Sequence, residues 1–187
     1  MSHLRVIAGK AKGRRLEMVP GEGTRPIMDR VKEALFNILG ASIHGAVFLD
    51  LFAGTGSVGI EALSRGAAKA TFVDRSARAI RTIQANLAHT RLTEWAEVTR
   101  ADVATFLSTP VRERYDFVYV APPQYKGLWK ETLLKLDAMT GLLNPDALVV
   151  AQIDPKEIEE LPLHTLAEID RRRYGQTMLV FYENSGG

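Results

Sequence analysis

From residue 46 onward the chain alternates two patterns. Apolar runs at 46–50, 70–74, 96–101, 115–120 and 147–153 read as strands, and the stretches between them, 57–66, 76–89, 102–108 and 127–138, carry apolar residues at helical spacing. Strand and helix in turn predict an α/β fold, a parallel sheet covered on both faces. The last two runs, HTLAEID and TMLVFYE, are joined by RRRYGQ with no helical stretch between them, which predicts a closing hairpin. The final ENSGG reads as a disordered tail.

A different segment precedes this alternation. LRVIAGK and GRRLEMV are short β-prone runs that predict a hairpin with Gly9 and Gly13 at its turn, holding Lys10, Lys12, Arg14 and Arg15 together. PGEGTRP breaks the pattern, and from Asp29 the residues Val31, Ala34, Leu35, Ile38 and Leu39 recur on one helical face, leaving Arg30, Lys32 and Glu33 outside. The chain thus divides into a hairpin-and-helix extension, 1–40, and a main domain, 41–187. Residues 1–32 hold eight Lys and Arg against three acids, while the remainder is slightly acidic and the whole chain carries only +2. A basic arm on a mildly acidic body predicts contact with a polyanion, here through Lys10, Lys12, Arg14, Arg15, Arg25 and Arg30.

Composition narrows the classes. No apolar run approaches the ~20 residues of a membrane span, and residues 1–10 lack the apolar core of a signal peptide, so a soluble, cytoplasmic protein is expected. The chain has no cysteine, which excludes disulfides, thiol catalysis and thiolate metal sites. His3, His44, His89 and His164 show no ligand spacing, and no metal is expected.

The most informative stretch is AVFLDLFAGTGSVG, 46–59, an apolar strand that runs into an acid and then a glycine turn. Gly54, Gly56 and Gly59 let the backbone approach a bound molecule, and the following helix offers free amide N–H groups. The same glycines satisfy G-x-G-x-x-G, so a dinucleotide-binding unit with Asp74 on a ribose is the first rival. Asp50 separates the two readings. A carboxylate four residues before Gly54 would repel a pyrophosphate but can accept hydrogen bonds from a cationic amino-acid tail, and S-adenosylmethionine has such a tail and no phosphate. Asp74 and Asp102 close the next two strands, and three acids at successive strand ends converge on one edge of a parallel sheet. Taken singly, Asp102 fits a helix N-cap as well.

The run D-L-F-A-G-T-G resembles the first motif of S-adenosylmethionine-dependent methyltransferases of Rossmann-like fold, whose seven-stranded sheet ends in an antiparallel strand. That resemblance implies contacts to the methionyl end from Asp50, Phe52, Gly54, Thr55 and Gly56, to the ribose from Asp74 with Arg75 beside it, and near the adenine from Asp102 and Val103. After the fourth strand comes A-P-P-Q and then Tyr125. It is similar to the Asn, Asp or Ser, Pro-Pro, aromatic tetrapeptide of amino-methylating enzymes, where side chain and carbonyl accept the N–H bonds of an exocyclic amine and the aromatic stacks on the base. Here Ala121 lacks an acceptor and Gln124 lacks a ring. The resemblance leaves catalysis to the carbonyls of Ala121 and Pro122, to Pro123 for rigidity and to Tyr125 for stacking, with no side chain of the motif able to take the departing proton.

With the basic arm, TRPIMDRVKEALFN at 24–37 and YGQTMLVFY at 174–182, the chain resembles the RsmD family over nearly its whole length. Membership would imply methylation of the exocyclic N2 of a guanine in 16S ribosomal RNA, with S-adenosyl-L-methionine as cofactor. The small ribosomal subunit or an assembly intermediate would be the partner of a monomer. Arg25, Pro26 and Asp29 would lie beside the cofactor mouth, under an arm that closes over the substrate. A non-catalytic RNA-binding assembly protein is the alternative, because the Pro-Pro motif departs at Ala121 and Gln124.

Overall fold

Seven strands form one sheet in the order β3-β2-β1-β4-β5-β7-β6 in the computed structural model, which describes residues 4–21, 26–139 and 141–186. The strands are β1 (Val47–Leu51), β2 (Lys69–Asp74), β3 (Ala96–Arg100), β4 (Tyr115–Val120), β5 (Leu143–Ile153), β6 (Leu166–Tyr174) and β7 (Thr177–Asn184). Between them lie α2 (Ser57–Ser64), α3 (Ala77–Thr90), α4 (Val103–Ser108) and α5 (Leu128–Asp137), with α1 (Asp29–Leu39) preceding β1. Strands β1 to β5 pair in parallel and only β7 runs against its neighbours, as the apolar runs predict. No helix of the described residues is long and apolar enough to cross a membrane.

The central strands are apolar throughout because both faces are covered. Phe48, Phe72, Phe117 and Tyr119 pack with α1, α2 and α3 on one face, while Leu49, Val73, Val118 and Val149 pack with α4 and α5 on the other. Two edges depart from the sequence reading. Arg171, Arg172 and Arg173, expected in a joining turn, belong to β6, and Arg171 and Arg172 pair with Glu168 and Asp170 on the same strand. Charge suits this position, since an edge strand with charged side chains resists pairing with other chains. The tail is ordered through residue 186, with Glu183 and Asn184 in β7 and the Ser185 N–H donating to the Thr165 carbonyl at 2.9 Å.

The N-terminal segment is stitched to the sheet rather than standing off it. The expected hairpin is present in short form: Arg5 and Arg15 form an antiparallel bridge, flanked by Leu16 N–H to the Leu4 carbonyl at 2.8 Å and Val6 N–H to the Arg14 carbonyl at 2.9 Å, and its Leu4, Val6, Ala11 and Leu16 join the same core as Phe48 and Ile60. Ile7 and Ala8 donate their N–H groups to the Glu61 carboxylate at 2.9 and 3.1 Å, and Lys10 donates to the Ser64 carbonyl at 2.8 Å. A Cβ on Gly9 would sit 1.9 Å from that carbonyl oxygen.

Lys32 corrects the helical reading: it is fully buried. Its Nζ donates to the Arg5 carbonyl at 2.6 Å and to Ser57 Oγ at 2.9 Å, and lies 3.4 Å from Glu61 Oε1. The stripe on α1 is rotated accordingly, with Phe36 buried and Ile38 exposed.

Candidate active site

The parallel strands end side by side, and register sets Asp50 of β1 between Phe72 of β2 and Tyr119 of β4. A cleft of about 1590 Å³ opens over these ends. Its walls include Asp50, Phe52, Gly54 and Thr55 after β1, Asp74 and Arg75 after β2, Asp102 and Val103 after β3, and Ala121, Pro122 and Pro123 after β4. Pro26 and Arg30 close it from the N-terminal side. Asp29 instead pairs with Arg5 at 3.0 Å, and Arg25 lies outside the described residues.

Asp50 is 1% exposed, and its Oδ2 accepts the Gly59 N–H at 3.0 Å. Burial pushes its carboxyl well above the usual carboxylate range; the Gly59 N–H pulls it down, and the nearby Asp74 pushes it up. Asp74 uses both oxygens, accepting from Gly54 N–H and from Ser76 N–H, each at 2.9 Å. It thus holds the bend in place as well as facing the cleft. Asp102 stands at the N-cap of α4, yet its side chain makes no capping bond and faces the cleft.

The glycines divide their labour. Gly54, at φ +58°, has nothing within 4 Å of where a Cβ would stand, so its surface is left open toward the cleft. A Cβ on Gly59 would lie 2.4 Å from Phe72 Cε1, which makes Gly59 a packing glycine, and Gly56 backs onto Ile83 and Phe72. The amides of Ser57 and Gly59 are already bonded to Thr55 Oγ1 and Asp50, so the start of α2 does not offer them to a ligand. Phe52 takes the left-handed conformation at φ 60°, a strain that sequence pattern does not reveal.

Beyond β4, Tyr125 is 63% exposed, also left-handed at φ 62°, and does not line the cleft. Its N–H donates to Glu157 Oε1 at 2.8 Å and its hydroxyl donates to Asp154 Oδ2. Asp154 lines the cleft, as do Tyr119 and Gln152, whose hydroxyl and amide oxygen are bonded to each other. Burial, followed by the charge of Asp50, pushes the Tyr119 phenol well up, so it remains a neutral donor. These three escaped the sequence reading. A signal existed for two of them: Gln152 is a polar residue inside an apolar run, and Asp154 is a fourth acid at a strand end.

The basic residues separate into two groups. Arg30 faces the cleft at the sheet's carboxyl edge. Lys10 places its Nζ 4.6 Å over the ring of Trp95, and Arg14 Nη1 donates to the His89 carbonyl at 3.2 Å, with exposed Lys12 between them in the chain. Those partners sit at the far end of α3, whose fourteen residues span about 21 Å at 1.5 Å each. The tip of the arm therefore does not cover the cleft; it extends the basic surface down the helix.

Comparison with known proteins places this geometry among relatives. The family model described as conserved hypothetical protein 95 matches residues 4–183. The protein YlbH of Bacillus subtilis is 40% identical over 187 residues, covering 98% of this chain and 100% of its own. Ribosomal RNA small subunit methyltransferase D of Haemophilus influenzae is 39% identical over 153 residues, 81% of this chain and 79% of its own. Among solved structures, yhhF of Escherichia coli superposes with a TM-score of 0.87 at 32% identity, covering 100% of both chains.

Proposed function

The chain belongs to the family of the ribosomal RNA small subunit methyltransferases D, described by its model as conserved hypothetical protein 95, and on that premise we propose that it methylates the exocyclic N2 of a guanine in 16S ribosomal RNA. The observation that carries this reading is one cleft uniting the acid–glycine bend after β1 with the Pro-Pro turn after β4. Ligand sites of about 300–1,000 Å³ are usual, so about 1590 Å³ admits a nucleoside-sized cofactor and an acceptor base together.

The residues fit S-adenosylmethionine, which when bound supplies an electrophilic methyl group. Asp50 would take its ammonium, Gly54, Thr55 and Gly56 with Phe52 would shape the methionyl end, Asp74 and Arg75 would meet the ribose, and Asp102 and Val103 would flank the adenine. Carbonyls of Ala121 and Pro122 would accept the amine N–H bonds and turn its lone pair toward the methyl. Pro123 would fix that turn, whereas Tyr125, expected to stack on the base, stands outside the cleft with its hydroxyl on Asp154. The protein would act as a monomer in the cytoplasm on the small subunit or an assembly intermediate, its 1–40 extension serving the 41–187 domain.

Arg25 and Arg30 would meet the RNA at the cleft, whereas Lys10, Lys12, Arg14 and Arg15 would contact phosphates about 20 Å away along α3. Log–log salt dependence of RNA affinity is expected to flatten by about one per side chain on Lys10→Ala or Lys12→Ala. Filter binding across a salt series checks this, and unchanged slopes would remove the arm tip from the RNA footprint.

Departures at Ala121 and Gln124 keep a second reading alive, a cofactor-binding assembly protein without transferase activity. Unmodified small subunits incubated with the protein and S-adenosylmethionine, followed by nucleoside analysis, separate the two. N2-methylguanosine is expected; S-adenosylhomocysteine binding with no methylated nucleoside would favour the second reading.

A further inference from the structure

Ala121 and Gln124 strip the Pro-Pro turn of its acceptor and its ring, yet the fold brings another carboxylate to the same wall. Strands β4 and β5 pair in register, Val120 beside Ala151, so Ala121 and Asp154 leave the sheet from neighbouring strand ends and both line the cleft. Asp154 is 5% exposed, so its accessible surface is small and lies at the cleft. A bracket holds it there. Lys156 N–H donates to Oδ1 at 2.8 Å, the Tyr125 hydroxyl donates to Oδ2, and Glu157 accepts from the N–H groups of both Tyr125 and Asp154. Two of those bonds fix Tyr125 in a left-handed conformation that costs of order 1–3 kcal/mol in a non-glycine residue.

We propose that Asp154 receives the proton released by the acceptor amine, standing in for the side chain missing at Ala121, with Tyr125 as its positioning residue. The inference rests on the methyltransferase reading above. The amine nitrogen uses its lone pair to form the N–C bond as the carbon–sulfur bond of the donor breaks. Sulfur keeps that electron pair as a neutral thioether, and one amine proton passes to the Asp154 carboxylate and then to water. Each Asp154 oxygen has one donor and retains lone-pair capacity for this.

Hydrogen bonds to the carboxylate, ahead of nearby charge, favour its ionised form. The Tyr125 hydroxyl holds Asp154 below the usual range, aided by the Lys156 N–H and by the charges of Lys156 and Arg173, while Glu157 faces Tyr125. A weak base suffices, because an amine conjugated with a base ring becomes strongly acidic once methylated.

The test compares wild type, Asp154→Asn, Tyr125→Phe and the double variant Asp154→Asn with Ala121→Asp. Asp154→Asn is expected to lower kcat about 100-fold, with the melting shift given by S-adenosylhomocysteine unchanged, and Ala121→Asp is expected to restore part of the rate. Tyr125→Phe should move the acid limb of the kcat–pH profile upward, and the carboxyl ¹³C titration of Asp154 in ligand-free protein should move with it. Asp154→Asn within threefold of wild type, or an acid limb that stays put in Tyr125→Phe, overturns the proposal while leaving the methyltransferase reading intact. A wild-type protein that methylates no guanosine overturns that reading and this inference with it.

Discussion

Glu61→Ala is expected to lower the unfolding free energy by about 3–5 kcal/mol, because it leaves a charge buried without its partner. Glu61 is fully buried and accepts from Ile7 N–H, Ala8 N–H and Arg65 Nε at 2.9, 3.1 and 2.8 Å, with Lys32 Nζ 3.4 Å away. Alanine orphans two backbone donors and the Lys32 ammonium together. Burial already holds the Lys32 amine below its ordinary value, opposed by the Glu61 charge, so removing Glu61 drives it lower. The sign follows from the protons held: between the lowered folded-state value and the unfolded-state value the unfolded chain binds more protons than the folded one, so the variant regains stability as pH rises through that window toward the unfolded lysine value. Denaturant midpoints at neutral and alkaline pH check both parts. A loss under about 1 kcal/mol, typical of a surface pair, would mean that the network is not holding the arm. Adding Lys32→Met to Glu61→Ala should recover much of the loss, since the stranded charge is then gone.

That network also marks where sequence reading stopped. Periodicity assigns each residue of α1 to a face by its polarity and so places Lys32 outside, although a long amphipathic stem can be buried when its head finds a carboxylate. The partner lies 29 residues away on α2, and nothing local announces it. The parallel run of strands and the converging acids were legible because parallel strands bury both faces and end at one edge, so Asp50, Asp74 and Asp102 needed only their positions at the ends of apolar runs. Sequence assigns Gly59 to close approach of a ligand, whereas the structure gives it another task, making room for the ring of Phe72 on β2. The three arginines of β6 looked like a turn because an edge strand need not be apolar. The arm's basic tip lies far from the cleft because the Ser64 and Glu61 bonds route it along α2, a path that charge counting cannot see.

Asp50→Asn should weaken S-adenosylhomocysteine binding about 10- to 100-fold, the worth of a charge-assisted hydrogen bond of roughly 1.5–3 kcal/mol. The pH dependence is more diagnostic than the loss. In the ligand-free protein, burial raises the Asp50 carboxyl well above the ordinary carboxylate value, so in the window between the two the folded chain holds a proton that the unfolded chain has released. Its stability contribution is therefore fully present below the ordinary value and lost as pH rises through the folded-state value. An ammonium group brought against Asp50 favours the carboxylate, so binding must expel that proton, and affinity should strengthen as pH rises through the window and then level off. Calorimetry in two buffers of different ionisation heat counts the proton directly. Wild type should release it and Asp50→Asn should not. Should wild-type binding prove independent of pH across that window, or the variant bind as tightly as wild type, the ammonium of the ligand does not meet Asp50 and the acid serves only to hold Gly59 at the start of α2.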